Sequence, residues 1–266
     1  MNELMQETRA LATAPREEWQ LDTRQLGRRV LVFNALDSTN AHAARMGDDP
    51  ALDGLILLAD EQLAGRGQHG RSWQCPPGSG VLLSAILLPP APLRRPVLLA
   101  AWAAVAVCET IRKTINQQAR IKWPNDVLIR GQKVCGILIE QGKTTIAGIG
   151  LNVTQTHEDF EEAELLQAGS LAVFSDRPLS TRELARSLIF ELDREYDALC
   201  QGDLAALESC WKWRTGLLGR PVIIEASDGI HSGRLLEQSF DGVAIETPTG
   251  ELRTFVPESI KHLSHA

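Results

Sequence analysis

A nine-residue stretch, "GRGQHGRSW" at residues 65–73, combines three glycines with two arginines and a histidine. Glycine lets a backbone approach a ligand closely, and arginine is a permanently charged, planar donor suited to phosphate and carboxylate. The P-loop and the dinucleotide fingerprint both open a helix, whereas an apolar run typical of a strand follows here. Two interpretations stay open: an anion site built from backbone N–H groups at Gly65 to Gly67 with Arg66 and Arg71, or a basic surface turn.

A second candidate group lies in "IKWPND", residues 121–126. Pro124 cannot continue a strand ladder, so we expect Lys122 at the end of a strand, where the chain turns. A lysine fixed there could neutralise a carboxylate and a phosphate while they react with one another. The alternative is a solvated lysine before an ordinary turn, and Trp123 is equally compatible with simple core packing.

Neutral polar groups form a third candidate set. The motif "DSTN", residues 37–40, offers hydroxyl and amide groups where a helix is expected to begin, and Gln62 precedes the glycine-arginine loop. Such groups suit an uncharged, hydrogen-bonding ligand, although capping a helix is the default role of the motif. Glycines in "GIGLNV", residues 148–153, indicate either a β-bulge or a ligand lying against the backbone.

A sheet and several helices must hold these groups together. Apolar runs typical of strands are "RRVLVFNAL", "GLILLADE", "GVLLSAILL", "ARIKW", "KVCGILIE" and "TTIAGIGLNV". The second and third runs flank the glycine-arginine loop, which is therefore expected at an end of the sheet. Helices are predicted from about Asn40, over "RRPVLLAAWAAVAVCETIRKTI", and from the capping box Ser180 to Glu183. The apolar face of the last helix comprises Leu184, Leu188, Ile189, Leu192, Tyr196 and Leu199.

After "WKWRTGLLG" the pattern changes to short apolar strands separated by the turns "SDG", "FDG" and "PTG". This spacing predicts a small antiparallel barrel of about 50 residues, joined near Gly216 to a mixed α/β domain. Residues 1 to about 20 are predicted to form a loosely attached segment.

Composition excludes several classes of protein. A net charge of −7 argues against nonspecific binding of nucleic acid. Five scattered cysteines without a CxxC pair fit neither a disulfide framework nor a zinc site, and they indicate a reducing compartment. The N-terminus lacks the apolar core of a signal peptide, and the longest apolar run is shorter than the ~20 residues that cross a bilayer. We therefore expect a cytoplasmic protein that does not bind a membrane.

The motifs "DSTN", "DEQLAGRGQHGRSW", "IKWPNDV", "KVCGILIE" and "GIGLNV", in this order, resemble the catalytic domain of the biotin protein ligase family. The resemblance runs from about residue 22 to the end. It implies an α/β (α+β) fold class: a mixed β-sheet flanked by helices, like the catalytic core of class II aminoacyl-tRNA synthetases, with a small C-terminal SH3-like β-barrel. The implied division is an N-terminal segment at 1–21, a biotin ligase catalytic domain at 22–215 and an SH3-like domain at 216–266.

The resemblance also implies a ligase reaction in two steps. Biotin and MgATP give biotinyl-5'-AMP and pyrophosphate, and a lysine of a biotin carboxyl carrier protein or domain, such as that of acetyl-CoA carboxylase, then displaces AMP. By position, the implied biotin contacts are Ser38, Thr39, Asn40, Gln62, Arg66, Gly67, Gln68 and Lys122. The implied catalytic residues are Lys122 and Arg66, and the implied ATP and adenylate contacts are Arg66, Arg71, Trp73, Asn152 and Ser170.

The implied cofactors are ATP and Mg²⁺, with biotin as a substrate and no metal site of the chain's own. No nucleic-acid partner is expected, and the family includes both monomers and homodimers.

Two departures from the family matter. Gln68 occupies a position that is often arginine or lysine, which predicts faster escape of biotinyl-adenylate. The N-terminal winged helix of bifunctional members is not seen, so we expect no repression of transcription by this chain.

Two alternatives to the ligase interpretation stay open. Lipoate-protein ligase shares the fold and the adenylation chemistry, but its arginine-glycine signature before a run of glycines is not seen here. A noncatalytic biotin sensor would be favoured by the loss of Lys122 or Arg66, and both residues are present.

Overall fold

An eight-stranded mixed sheet forms the centre of the protein in a computed structural model that describes residues 14–266. The strands are β1 (Glu17–Gln20), β2 (Arg29–Leu36), β3 (Ile56–Gln62), β4 (Gly80–Leu87), β5 (Arg120–Lys122), β6 (Asp126–Ile129), β7 (Gln132–Gln141) and β8 (Thr145–Asn152). Their order is β1-β2-β3-β4-β8-β7-β6-β5, with β2 and β3 parallel and the other neighbours antiparallel. As predicted, the glycine-arginine loop connects β3 and β4, and the structure shows that these two strands are antiparallel neighbours.

Helices cover both faces of this sheet. They are α1 (Thr39–Arg45), α2 (Pro96–Ile115), α3 (His157–Glu162), α4 (Thr181–Cys200) and α5 (Leu204–Thr215). The large core contains one face of the sheet together with α2 and the whole predicted apolar face of α4. A smaller apolar cluster, which includes Phe33 and Ala43, lies under α1 on the opposite face. The predicted mixed sheet flanked by helices is confirmed.

The C-terminal part of the chain forms a second, five-stranded antiparallel sheet. Its strands are β9 (Pro221–Ala226), β10 (Gly229–Gln238), β11 (Val243–Glu246), β12 (Leu252–Phe255) and β13 (Ile260–His265). They lie in the order β12-β11-β10-β9-β13, and within these described residues the end strands do not pair with each other. The predicted small antiparallel unit is therefore present as a five-stranded sheet, and its description as a barrel stays a prediction. Helix α5 ends at Gly216 (φ 64°), close to the predicted junction, but the domain limits themselves stay a prediction.

An aromatic group joins the two sheets. The Trp123 ring lies 5.4 Å from Trp211, which stacks on Phe240 at 4.9 Å. The Trp123 indole also donates a hydrogen bond to the carbonyl oxygen of Ile260, at 3.2 Å. Trp123 is therefore a core residue, and it attaches the C-terminal sheet to the turn that follows Lys122.

The N-terminal segment is held more firmly than the sequence predicted. Residues 1–13 lie outside the described part of the chain, but residues 17–20 pair with β2 as an edge strand. Trp19 is buried, and the guanidinium groups of Arg182 and Arg186 lie 4.7 and 4.8 Å from the centre of its ring. The prediction of a loose attachment is wrong for residues 17–20, because these contacts with α4 depend on the tertiary fold. Within residues 14–266, no helix combines the length and apolar character needed to cross a membrane.

Candidate functional site

A cleft opens where the N-terminus of α1, the glycine-arginine loop and strands β5 to β8 meet. Its lining contains most of the predicted site residues, namely Ser38, Thr39, Asn40, Gln62, Arg66, Gly67, Gln68, Arg71, Trp73 and Lys122. These residues come from four separate segments of the chain. Strands β2 and β3 are parallel neighbours. Helix α1 follows β2 and the glycine-arginine loop follows β3, so both begin at the same edge of the sheet.

The α1 side of the cleft is a network of neutral hydrogen-bonding groups. Ser38 caps the helix, its hydroxyl accepting from the N–H of Ala41 at 3.4 Å. The Gln62 side-chain oxygen accepts from both the N–H and the hydroxyl of Thr39, at 2.7 and 3.0 Å. The "DSTN" motif is therefore both a helix cap and part of the cleft, so the two interpretations of the motif are compatible.

Ser84 joins this network, and the sequence analysis missed it. Its hydroxyl lies 2.7 Å from the Thr39 hydroxyl and 2.5 Å from the Asn40 side-chain oxygen. Ser84 is fully buried in β4. The available signal was a single polar residue inside the apolar run "GVLLSAILL", because a buried hydroxyl requires a hydrogen-bond partner.

The glycines of "GIGLNV" make room for side chains that lie on the sheet. A Cβ at Gly148 would lie 2.3 Å from the Asn40 side-chain oxygen, and one at Gly150 would lie 2.4 Å from the Trp73 ring. A Cβ at Gly136 of β7 would also meet that ring, at 2.8 Å. Strand β8 pairs in regular register with both neighbours, so the β-bulge interpretation of these glycines is wrong.

The glycine-arginine loop is closed by its own backbone. The N–H of Trp73 donates to the Gly65 carbonyl at 2.9 Å, and that of Gly67 donates to the Arg71 carbonyl at 2.7 Å. His69 adopts a positive φ of 55° within the tight turn. The Gly67 N–H is therefore already used inside the loop and is not free to bind an anion in this conformation.

The cationic side chains of Lys122, Lys133 and Arg71 line the β5 side of the cleft. Lys122 is the last residue of β5, as predicted, and it is exposed. Neither Lys122 nor Arg71 forms an ion pair with any residue in 14–266, whereas Lys133 pairs with Asp126 at 2.7 Å. The side chains of Lys122 and Arg71 can therefore bind an anion in the cleft, because no carboxylate of the described residues neutralises their charge.

The C-terminal sheet also reaches the cleft. His262 of β13 is part of the lining, and its ring lies 6.4 Å from that of His69 in the glycine-arginine loop. No local pattern in the sequence marks His262, because its position depends on how the second sheet packs. Lys133 was missed as well, although a charged residue near the start of the apolar run "KVCGILIE" was a usable signal.

Asn152 and Ser170 are not part of the cleft lining. The Asn152 amide donates to the Gly169 carbonyl at 3.0 Å, and its oxygen accepts from the Gln155 side chain at 3.1 Å. The fully buried Ser170 hydroxyl donates to the Gln155 carbonyl at 2.6 Å. Both residues hold the segment after β8 in place, and contact with adenine stays a prediction for each of them.

Two ionisable groups border the site. Arg45 pairs with Asp37, just before the helix cap, at 2.7 and 2.8 Å and lowers the pKa of that carboxyl to about 2. Burial raises the pKa of the Cys75 thiol, which follows the glycine-arginine loop, so this thiol stays protonated at neutral pH.

Within residues 14–266, no group of three or more His, Cys, Asp or Glu side chains is arranged to hold a metal ion.

Known proteins with sequences similar to this chain are biotin or lipoate ligases. Residues 32–154 match the model of the biotin/lipoate A/B protein ligase family. The chain is 30% identical to the bifunctional ligase/repressor BirA of Bacillus subtilis over 237 residues, which cover 86% of this chain and 73% of that protein. It is 32% identical over 217 residues to the biotin–[acetyl-CoA-carboxylase] ligase of Paracoccus denitrificans, covering 74% of this chain and 87% of the relative.

A solved structure shares the fold. The biotin protein ligase from Aquifex aeolicus, in complex with biotin and ATP, superposes with a TM-score of 0.73. The match covers 89% of this chain and 99% of that one at 23% identity. The two proteins therefore share their overall fold.

Proposed function

The chain belongs to the biotin protein ligase family, and on this premise we propose that it activates biotin with ATP and transfers it to a lysine of a biotin carboxyl carrier domain. The observation that carries the proposal is the division of one cleft into a neutral hydrogen-bonding side and a cationic side. Such a cleft suits a molecule with an uncharged polar ring and an anionic tail, which is the chemistry of biotin.

In the first step, a biotin carboxylate oxygen attacks the α-phosphorus of ATP and pyrophosphate leaves. The neutral network of Ser38, Thr39, Asn40 and Gln62 would hold the ureido ring by hydrogen bonds. Lys122 would lie between the carboxylate and the α-phosphate, because two anions react only when fixed positive charge offsets their repulsion. Arg66 and Arg71 would neutralise the remaining phosphate charge.

In the second step, the amine of a carrier lysine attacks the anhydride carbonyl. The C–O bond to AMP breaks, the amine loses a proton, and an amide forms. Lys122 would then stabilise the leaving phosphate of AMP. The proposed carrier is the biotin carboxyl carrier domain of a carboxylase such as acetyl-CoA carboxylase, and Mg²⁺ would enter as part of the MgATP substrate.

The test is biotin-dependent exchange of labelled pyrophosphate into ATP by the purified protein. We expect exchange with biotin and none with lipoate, followed by biotinylation of a purified carrier domain detected with streptavidin. Exchange with lipoate would assign the chain to the lipoate branch of the family. Exchange with neither acid, from folded protein, would contradict the proposal and favour a noncatalytic biotin sensor.

A further inference from the structure

One carboxylate oxygen holds two of the proposed substrate contacts at the same time. The Oε2 atom of Glu140, in β7, accepts a hydrogen bond from the Asn40 amide nitrogen at 2.7 Å. The same atom accepts from a terminal nitrogen of Arg66 at 3.0 Å. These two partners lie 100 and 74 positions away in the sequence. Glu140 ends the motif "KVCGILIE", but the sequence did not predict its contacts with Asn40 and Arg66.

Glu140 lies behind Arg66 rather than inside the main cleft. Arg66 lines both the main cleft and a neighbouring cavity, whereas Glu140 lines the neighbouring cavity alone. An unpaired carboxylate inside the main cleft would repel an anionic substrate, and Asp126, which lines the cleft, is paired with Lys133. From its place behind Arg66, Glu140 can hold the guanidinium while leaving its remaining N–H groups for a ligand, since arginine carries five donors.

The contact with Asn40 fixes the orientation of the amide. An ionised carboxylate only accepts hydrogen bonds, so the amide nitrogen must face Glu140. The amide oxygen then lies 2.5 Å from the buried Ser84 hydroxyl. A rotated amide would place its oxygen against the carboxylate, which is repulsive. The Leu138 carbonyl accepts a longer hydrogen bond from the same nitrogen, at 3.4 Å, so it and Glu140 together determine how the Asn40 amide is oriented.

The contact with Arg66 anchors the glycine-arginine loop. The side chain of Arg66 is 46% exposed, and Glu140 is its ion-pair partner within residues 14–266. An exposed arginine without such a partner would sample many rotamers, and ordering it would cost free energy when the ligand binds. The ion pair keeps Arg66 at the edge of the cleft before substrate arrives.

We propose that Glu140 is a positioning residue that couples the Asn40 ligand contact to the Arg66 loop contact through one oxygen atom. The kinetic part of the proposal rests on the proposed ligase function, whereas the anchoring of the loop does not. Glu140 acts through its two partners and touches neither substrate nor the reacting atoms.

The first test measures the loop in the absence of any substrate. Hydrogen–deuterium exchange of the peptide covering residues 63–75 is compared among the wild type, Glu140→Ala and Asp48→Ala. Asp48 is the matched control, because it forms an exposed ion pair with Lys143 at 3.2 Å beside the same cavity but contacts neither partner of Glu140. We expect exchange about tenfold faster in Glu140→Ala, the size expected for losing one charged hydrogen bond, and no change in the control. Equal exchange in Glu140→Ala and the wild type would overturn the anchoring of the loop.

The second test measures pyrophosphate exchange as a function of biotin concentration. We expect Glu140→Ala to raise the KM for biotin about tenfold, and Glu140→Gln, which keeps an accepting oxygen, to restore most of the loss. In an Asn40→Ala background the Glu140→Ala effect on KM should largely disappear, because coupled residues are not additive. Full additivity of the two substitutions would overturn the coupling. A wild type without biotin-dependent exchange would instead refute the proposed function, and the deuterium experiment would still decide the anchoring.

Discussion

Lys122 lies at the end of a strand, and no carboxylate of the described chain neutralises its charge. It is exposed at the end of β5, and it pairs with no carboxylate within residues 14–266. The turn after it is fixed by the buried Trp123, so the lysine is positioned by its neighbour rather than by its own contacts. A residue of this kind can be changed with little effect on folding, which allows its proposed catalytic role to be measured separately.

We therefore expect Lys122→Ala to lower the rate of biotin-dependent pyrophosphate exchange by at least about 100-fold, as is typical when an electrostatic contact to a transition state is lost. The midpoint of thermal unfolding should stay close to that of the wild type. Lys143→Ala, at an exposed lysine outside the cleft, is the matched control and should keep normal exchange. Normal turnover by a stable Lys122→Ala protein would show that the assignment is wrong.

Gln68 gives a second prediction for a single residue. Gln68 lines the cleft, and the family resemblance leads us to expect arginine or lysine at this position. A neutral amide would then remove one charge-assisted contact to biotinyl-adenylate. Gln68→Arg should slow escape of the intermediate several-fold, roughly the effect of one charged hydrogen bond, as measured by quench-flow. Gln118→Arg adds the same charge at an exposed site after α2 and should leave escape unchanged. Equal escape from the wild type and Gln68→Arg would refute the role of this position.

Among the secondary-structure elements, β8 positions side chains of other segments through its glycines. These glycines have no side chain, so side chains of α1 and of the glycine-arginine loop can lie directly on the strand. Asn40 of α1 occupies the space above Gly148, and Trp73 of the glycine-arginine loop occupies the space above Gly150. Both contacts are too close for any Cβ. The strand therefore aligns a helix terminus and a loop with each other, although neither of them pairs with it.

Gly148→Ala tests this alignment. The new Cβ would lie 2.3 Å from the Asn40 side-chain oxygen, so Asn40 must move and lose its bonds to Ser84 and Glu140. The KM for biotin should rise about tenfold or more. Gly142→Ala, in the β7–β8 turn, is the control, because its Cβ meets nothing closer than 3.8 Å. An unchanged KM in folded Gly148→Ala would mean that Asn40 does not contact biotin.

At the scale of the whole molecule, the two sheets share one core. The same apolar cluster contains Trp123 beside the cleft, Trp211 of α5 and Phe240 of the C-terminal sheet. Arg95, just before α2, pairs with Asp241 at 2.9 Å and adds a polar link. Continuous packing of this kind predicts that both sheets unfold together, even if 22–215 and 216–266 are separate domains.

Phe240→Ala tests this shared core. Phe240 is fully buried against Trp211, so its truncation should cost about 3–5 kcal/mol of the free energy of unfolding. Tryptophan fluorescence and far-UV circular dichroism should still report one coincident transition at lower denaturant concentration. Leu252→Ala, at a side chain that is 63% exposed, should change the free energy by less than about 0.5 kcal/mol. Two separate transitions would contradict the shared core.

Features that depend on neighbouring residues could be predicted from the sequence. The apolar runs located β2, β3, β4, β5, β7 and β8, and the spacing of leucines located the buried face of α4. Pro124 placed Lys122 at a strand end, and the order of the motifs was enough to identify the family resemblance. Strand β6 was missed because only three apolar residues lie between two turns.

The tertiary structure alone decided which distant residues meet. It placed Ser84 and Glu140 against Asn40, Trp73 over the glycines of β7 and β8, and His262 beside the glycine-arginine loop. It also attached residues 17–20 to the sheet. The reason is physical: periodicity and turn chemistry act over a few residues, whereas these contacts join segments tens to hundreds of positions apart. Such contacts form only when the whole core has packed.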